Sequence, residues 1–560
     1  VAAESLDATT VTASPIDLFT ERTADKVEIS DSADSFTYYL QKQNGVQTRA
    51  NGSQTLSIRG SLAADRTLTL FGFAPIQVGD GSGPAYVLLG DEIFDTLYIY
   101  KGPASLFFGS KATGGAFRLL PKPREKNRIR LTAASFDQFS TDLQVTAVQH
   151  GDHHLQFTYF AESFNNSYDH DSGLGYTDGR WRPNDSDWHR ASATYFYKNS
   201  YTSVLFGDKK GMAPPALGFG ANEYDQTALF ATHYNELELT SYHSINGQIS
   251  YLTTENKNWQ SGTHSKIENA VGNAVLNVET LISPNFINLI QVQWTQSRLR
   301  NQYTTTTRYD HEEIDFGLQL VHSALGLQIE PQVRYLEKYK EWIKGLSISK
   351  NNYYAAYTEG FRNPTLNALY LDDTFSASNS NLKPEHSKQI EIGKKEEQYQ
   401  VKVYRMDYED MFKYIFNGTK YQTINEDKAS TQGLEFEATS KDINYDLKFS
   451  LNYMRSKDSV GDPLPLSPRL QALYSISYYY GIIEIQPQLR TWYKYYLYDF
   501  TNGLQRANNW TTSDLYLHSF GFKDWKVTLG VENIFAKQKT FDVGYPEPLR
   551  RYMVQYQYLF

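Results

Sequence analysis

The chain contains no cysteine among its 560 residues. A disulfide framework, a thiolate metal site and a thiol nucleophile are therefore all excluded. Nor does it hold any run of about 18 uninterrupted apolar residues, so no helix of it can cross a membrane. With no complete phosphate-binding loop, no site for nucleotide-driven work is expected. A net charge of -9 gives no electrostatic footprint for nucleic acid. No serine is paired with a histidine in a way that would make a hydrolase, so an enzyme is not expected. What the chain does have is aromatic surface, with 43 Tyr, 31 Phe and 8 Trp. At 40% hydrophobic residues it has ample material to bury, which excludes a disordered polymer. It opens on Val1-Ala2-Ala3-Glu4 rather than Met, as expected of an exported product whose leader has been removed.

From Arg128 to Phe560 the dominant signal is alternation with a period of two. Leu155, Phe157, Tyr159 and Ala161 alternate with Gln156, Thr158 and Phe160. Ile483, Ile485, Pro487 and Leu489 alternate with Glu484, Gln486, Gln488 and Arg490. In a soluble sandwich the apolar face would be the core; in a membrane barrel it would meet lipid while the polar face lines the lumen. Three features favour the barrel. Aromatics gather at strand ends, as in Tyr478-Tyr479-Tyr480 and Tyr493 to Tyr496. Tight connections at Gly151-Asp152 and Asn199-Ser200 alternate with long polar ones over 164–187 and 211–226. The last strand presents Tyr552, Val554, Tyr556, Tyr558 and the terminal Phe560 on one face. At about 20 residues per strand and connection, the segment yields about 22 antiparallel transmembrane strands. So wide a lumen needs a stopper. Residues 21–122 read as a small mixed α/β globule suited to that role, with a helix expected over Asp34 to Gln43. Residues 1–20 read as an extension, and 123–560 as the barrel with its proline-bearing linker.

Within the globule stand Leu56-Ser57-Ile58-Arg59-Gly60, Arg66 to Phe73, Ile99-Tyr100-Lys101-Gly102-Pro103-Ala104-Ser105 and Ala112-Thr113-Gly114-Gly115-Ala116. The barrel segment adds Phe361-Arg362-Asn363-Pro364, Asn381-Leu382-Lys383-Pro384-Glu385, Glu391-Ile392-Gly393, Gly433-Leu434-Glu435, Leu466-Ser467-Pro468-Arg469 and Val531-Glu532-Asn533-Ile534-Phe535. In this order they resemble the TonB-dependent outer-membrane receptors of siderophore and cobalamin type. The resemblance implies a plug domain inside the barrel, a monomer in outer-membrane lipid, and import of a scarce metal chelate. It implies TonB as partner, energised by the inner-membrane ExbB/ExbD complex, and no required cofactor. Ferric siderophore is the first expectation, cobalamin the second, and a passive porin the alternative if the first 122 residues do not fill the lumen.

The same resemblance marks Thr9, Thr10, Val11, Thr12 and Ala13 as the TonB box, whose β-branched residues suit strand addition to a partner's sheet. It places Arg59 and Lys101 of the plug against Glu391 and Glu435 of the barrel. Their parity agrees, since Ile390 and Ile392 flank one glutamate and Leu434 and Phe436 the other. For the ligand the candidates are Gln54, Phe73, Gln77, Asp80 and Ser82 of the plug loops, with Trp181 and Arg182 offering a stacking surface and a fixed charge. Asp169, Asp171, Asp178, Asp185 and Asp187 offer hard oxygen donors for a structural Ca²⁺, or form a solvated acidic loop. The resemblance also disfavours haem, since haem receptors of this family usually carry a histidine between the Phe-Arg-x-Pro and Asn-x-Asn-Leu signatures, and residues 365–378, between Phe361–Pro364 and Asn379–Leu382, contain none; His386 lies just beyond. Five Met and no Cys disfavour a soft copper site.

Overall fold

The computed structural model describes residues 24–560 apart from 29–39, 41–42, 51–53, 62–65, 79–82, 95, 125, 166–185, 214–221, 261–262, 302–306, 373–375, 500–502, 520–521, 523, 543–544 and 547–548. Beginning with Arg128–Ala134 and ending with Arg551–Leu559, 22 strands pair antiparallel in chain order. The last then pairs with the first, Tyr556 opposite Leu131, and the ring closes. Closure leaves no strand edge with unpaired amides, a requirement for any sheet that sits in hydrocarbon. The two-residue strand Ser376–Ala377 lies beside the ring, parallel to Tyr421–Lys441.

The alternation sorts outward and inward as a barrel in lipid demands. Phe157 is 44% exposed and Gln156 4%; Ile392 is 61% exposed and Glu391 4%. In the last strand Tyr552, Val554, Tyr556 and Tyr558 face outward while Met553, Gln555 and Gln557 face the lumen. A soluble core would reverse this pattern. One rim is made of tight turns, such as Gly151-Asp152, and the other of longer connections. Where 211–226 reads as one long polar loop, the strands Ser200–Ala213 and Asn222–Thr240 reach in from either side until Ala213 pairs Asn222. Several strands here run 18 to 21 residues. A tilted strand crosses hydrocarbon in about 9–11, so their polar ends stand above it and mimic loop composition.

The lumen is filled. Strands Ala24–Glu28, Thr96–Lys101, Gly115–Leu120, Thr67–Phe71 and Ala74–Pro75 form, in that order, a mixed sheet in which only Gly115–Leu120 and Thr67–Phe71 run parallel. A hairpin, Val46–Ala50 with Gln54–Ile58, and the short helix Ser105–Phe108 complete this plug. All but a few residues of the expected helix over Asp34 to Gln43 lie outside the described residues. The apolar core is shared between plug and wall: Phe71 packs against Phe94 of the plug and against Tyr201 and Phe230 of the barrel, with centroids 5.3, 5.5 and 5.8 Å away. Gly72, at φ +63°, turns so close to the wall that a Cβ would lie 2.2 Å from the Tyr201 hydroxyl. There the barrel's Gln248 donates to the Phe71 carbonyl and accepts from the Phe73 amide.

Candidate functional site: the plug seams and the recess above them

Arg59 follows the strand Gln54–Ile58 and is fully buried. Its Nε and Nη2 donate to the two oxygens of Glu435 at 2.8 and 3.0 Å, and Nη1 reaches Glu391 at 2.7 Å and the Lys101 carbonyl at 3.1 Å. The guanidinium lies 3.8 Å from the Tyr404 ring centroid. Such a bidentate, fully donating geometry is what lets a buried charge offset its desolvation. Lys101 is shared more widely. Its Nζ is 2.5 Å from Asp25, 3.3 Å from Glu437 and 3.5 Å from Glu435, while Lys402 holds the other Asp25 oxygen at 2.8 Å. Thus Arg59 takes both expected glutamates, and Lys101 depends chiefly on Asp25, a partner that the sequence reading did not single out. Burial works against every charge here, yet the surrounding opposite charges outweigh it: Arg59 and Lys101 are held above their usual values and Asp25 below its own. After Lys101 the chain turns at Gly102, φ +103°, where a Cβ would strike the Gln389 amide at 2.2 Å.

A second seam lies beside the first. Glu385 accepts both Arg66 Nε and Nη2 at 2.7 Å, Arg362 Nη2 at 3.1 Å and the Phe412 amide at 2.9 Å. A third stands about half the ring away, on the first, second and fourth strands, and its polarity is reversed. There the plug supplies Asp91 and Glu92 while the wall supplies Arg130 at 2.6 Å from Asp91 and Arg190 at 2.6 Å from Glu92. Asp142 of the wall takes Arg128 and Arg130 at 3.1 and 2.7 Å. The carboxylates of Asp91, Glu92 and Asp142 lie within 4.8 Å of one another, but three arginines already supply the positive charge a cation would bring. Burial, with Asp91 and Asp142 close by, pushes the Glu92 carboxyl up despite Arg190. At Asp91 the neighbouring arginines, Arg130 foremost, outweigh burial and hold it down.

Toward the rim of long connections a recess opens between plug and wall. Gln77, Ser110 and Lys111 of the plug face His311, Glu313 and Asn363 of the barrel across it. Glu313 accepts from His311 Nε2 at 2.5 Å and from the Asn363 amide, and Lys338 stands 2.6 Å from His311 Nδ1. The sequence held a signal for this group. His311, Glu313 and Asp315 share the polar parity of Thr307–Ala324, opposite Ile314, Phe316 and Leu318.

Of the expected ligand residues, Gln77 lines the recess. Phe73 does not; it is buried beneath the Arg118 guanidinium, 4.3 Å from its centroid, and stacks on Tyr234. Gln54 begins the strand Gln54–Ile58. Asp80, Ser82, Trp181 and Arg182 lie outside the described residues, as do the TonB-box positions Thr9 to Ala13 and the aspartates Asp169, Asp171, Asp178 and Asp185. Asp187 is exposed near the start of Ser186–Tyr197. His386, the histidine nearest the haem position, is on the outer wall and meets Glu341 at 3.3 Å.

Residues 90–534 match the family model described as TonB dependent receptor-like, beta-barrel. A curated relative, the vitamin B12 transporter BtuB of Vibrio vulnificus (strain YJ016), is 22% identical over 444 residues, covering 70% of this chain and 68% of that protein. Among solved structures, the copper transporter OprC superposes with a TM-score of 0.80 at 14% identity, covering 96% of this chain and 99% of that one. The siderophore receptor PirA from Acinetobacter baumannii gives 0.78 at 14% identity, with 98% and 99% covered. The ferric yersiniabactin uptake receptor FyuA from Yersinia pestis gives 0.75 at 14%, with 96% and 97% covered. At such identities these structures speak to fold alone. The family match covers well over half of the chain, and with the closed barrel and its filled lumen it establishes that this protein belongs to the TonB-dependent receptors, transporters rather than enzymes, and resides in the Gram-negative outer membrane.

Proposed function

We propose that the chain imports a scarce metal chelate, a ferric siderophore in the first instance, and releases it to the periplasm when TonB draws on the plug. The observation that carries this reading is the folded domain closing the lumen through buried ion pairs, beneath a recess open to the rim of long connections. A passive pore would gain nothing from such a stopper. The recess brings Lys111 to His311, Glu313 and Asn363, with Lys338 outside it holding His311, and its donors suit an anionic, oxygen-rich group of a chelate. Cobalamin is the second reading, favoured by the similarity to the Vibrio vulnificus transporter.

Growth of a deletion strain on single sources distinguishes the two. Loss of growth on one ferric siderophore supports the first, and loss confined to cobalamin-dependent growth supports the second. Coupling to TonB through Thr9 to Ala13 is tested by Val11→Pro, which removes an amide from the segment expected to add to TonB's sheet. Binding of ligand at the cell surface should persist while accumulation falls to the level of a TonB-deficient strain. Unchanged accumulation would reject the box assignment.

A further inference from the structure

The plug is not gripped evenly around the ring. Ion pairs tie it to the fourteenth and sixteenth strands through Arg59, Arg66 and Lys101, and to the first and fourth through Asp91 and Glu92. Gln248 of the seventh holds the backbone at Phe71 and Phe73. From above, Thr540–Asp542, between the last two strands of the ring, packs on the plug hairpin at Val46–Ala50. The ninth to twelfth strands, Phe286–Asn301, Thr307–Ala324, Leu327–Leu336 and Glu341–Lys350, are engaged differently. The recess lies at their upper end, where Gln293, His311 and Glu313 line it. Below it they meet the apolar side chains of Ser105–Phe108. Leu106 occupies the space left by Gly345, where a Cβ would lie 2.5 Å from Leu106 Cδ1, and Phe107 and Phe108 join Leu289, Leu336 and Ile343 in one cluster. Arg334 reaches the Leu106 carbonyl at 3.4 Å, while its shorter bonds, to Gln291 at 2.6 Å and Gln293 at 2.5 Å, stay within the wall.

Against that apolar face the wall sets amides. Gln319 and Gln332 stand opposite each other on neighbouring strands, 4% and 3% exposed. Leu289 lies opposite Gln319 on the other side, and Gln332 Oε1 is 3.5 Å from the Cβ position of Gly345, beside Leu106. Neither the oxygen nor the nitrogen of either amide has a hydrogen-bond partner among the described residues. A buried amide without partners favours any arrangement that returns it to water or to another polar group. Seated, the plug strands these two; drawn aside, it would leave them in the middle of a polar column. Gln291 and Gln293 continue that column up to the recess, and Ser347 and Ser349, buried on Glu341–Lys350, continue it down toward the rim of tight turns.

We infer that the plug parts from the barrel first along these four strands, and that Gln319 and Gln332 then form a transit site for the polar groups of the imported molecule; the transit site rests on import as proposed above. A chain without cysteine allows single thiols to report the order of parting. Ser347→Cys probes this side, with Ser203→Cys and Ser450→Cys on other strands of the lumen wall, all three positions being buried. Ser347 and Ser203 each stand three residues from their strand's end at the rim of tight turns. In the full chain in detergent, with urea too dilute to unfold the barrel, N-ethylmaleimide should label the Ser347→Cys variant roughly tenfold faster than the other two. Adding Gln319→Leu/Gln332→Leu should slow that labelling roughly tenfold, since apolar replacements suit the plug's apolar face. Amides that merely held the wall together would give the opposite sign. Equal rates, a faster thiol elsewhere, or labelling unchanged or accelerated by the leucines would overturn the inference, and the comparison of rates needs no change to either glutamine. Gln319→Glu/Gln332→Glu separates transit from parting. Buried carboxylates should speed labelling, yet they offer a ligand acceptors and no donors. Accumulation of the source found by the growth test, ferric siderophore or cobalamin, should therefore fall several-fold while surface binding persists. Accumulation that rises with labelling would overturn the transit site. Absence of any growth phenotype would refute import and transit together, whereas the labelling order is decided in detergent whatever the ligand.

Discussion

Removing the Arg59 guanidinium separates charge from packing at the plug seam. Arg59→Met keeps much of the aliphatic stem and deletes the donors that Glu391 and Glu435 share. Both glutamates then remain buried, with Lys101 3.5 Å from Glu435 and Lys402 opposite Glu435 on the neighbouring strand as the cations left nearby. Breaking a buried pair from one side costs about 3–5 kcal/mol, a factor of roughly 160 to 5,000 in the population of displaced plug. Replacing the whole group with neutral residues costs far less, since no charge is left stranded. Arg59→Met with Glu391→Gln and Glu435→Gln should therefore recover most of the loss, Lys101 keeping Asp25 and Glu437. Hydrogen exchange of plug amides in detergent reads the equilibrium directly, and entry of a large antibiotic through the mutant barrel reads it in cells. Equal exchange in the single and triple variants would refute the electrostatic account and leave packing as the cause. An unchanged single variant would remove the seam from the mechanism altogether.

Glu385→Gln strips Arg66 and Arg362 of one shared carboxylate and should loosen the plug by about 3 kcal/mol or more by the same exchange measurement. Glu409→Gln, which breaks an exposed pair with Lys388, should cost under about 1 kcal/mol. Asp25→Asn should free the strand Ala24–Glu28, and its effect should depend on pH. The folded carboxyl lies below its ordinary 3.8, so its contribution is complete above about pH 4 and disappears as pH falls through the folded value. Exchange in this strand should therefore differ between variant and parent at pH 5–8, and the difference should begin to shrink below about pH 4 and vanish only once pH passes the lowered folded value.

The barrel was legible because lipid and lumen write opposite instructions on alternate residues: Gln156 against Phe157 and Glu391 against Ile392 are visible in the chain alone. The plug offers no such contrast. Thr67–Phe71 is buried at every position, because wall and plug cover both of its faces, and the period-two signal vanishes. The pairing of Arg59 with two glutamates came from family resemblance backed by parity. By contrast, Glu92 and Arg190 lie 98 residues apart, and no local pattern joins them. Asp25 was missed because its partners come from two different domains and a single aspartate in a short strand carries no periodic mark. His311 and Glu313 were visible by parity, yet only the fold brings them to the recess beside Lys111.

The reversed polarity of the seams bears on how the molecule is put together. Imagine the globule entering a nascent ring turned by half a revolution. Asp91 and Glu92 would then confront Glu391 and Glu435, and Arg59 would confront Arg128, Arg130 and Arg190. Like signs forced together away from water are repelled far more strongly than they would be at a surface. The pairs thus act as a keyway, admitting one rotational setting during biogenesis before any ligand arrives.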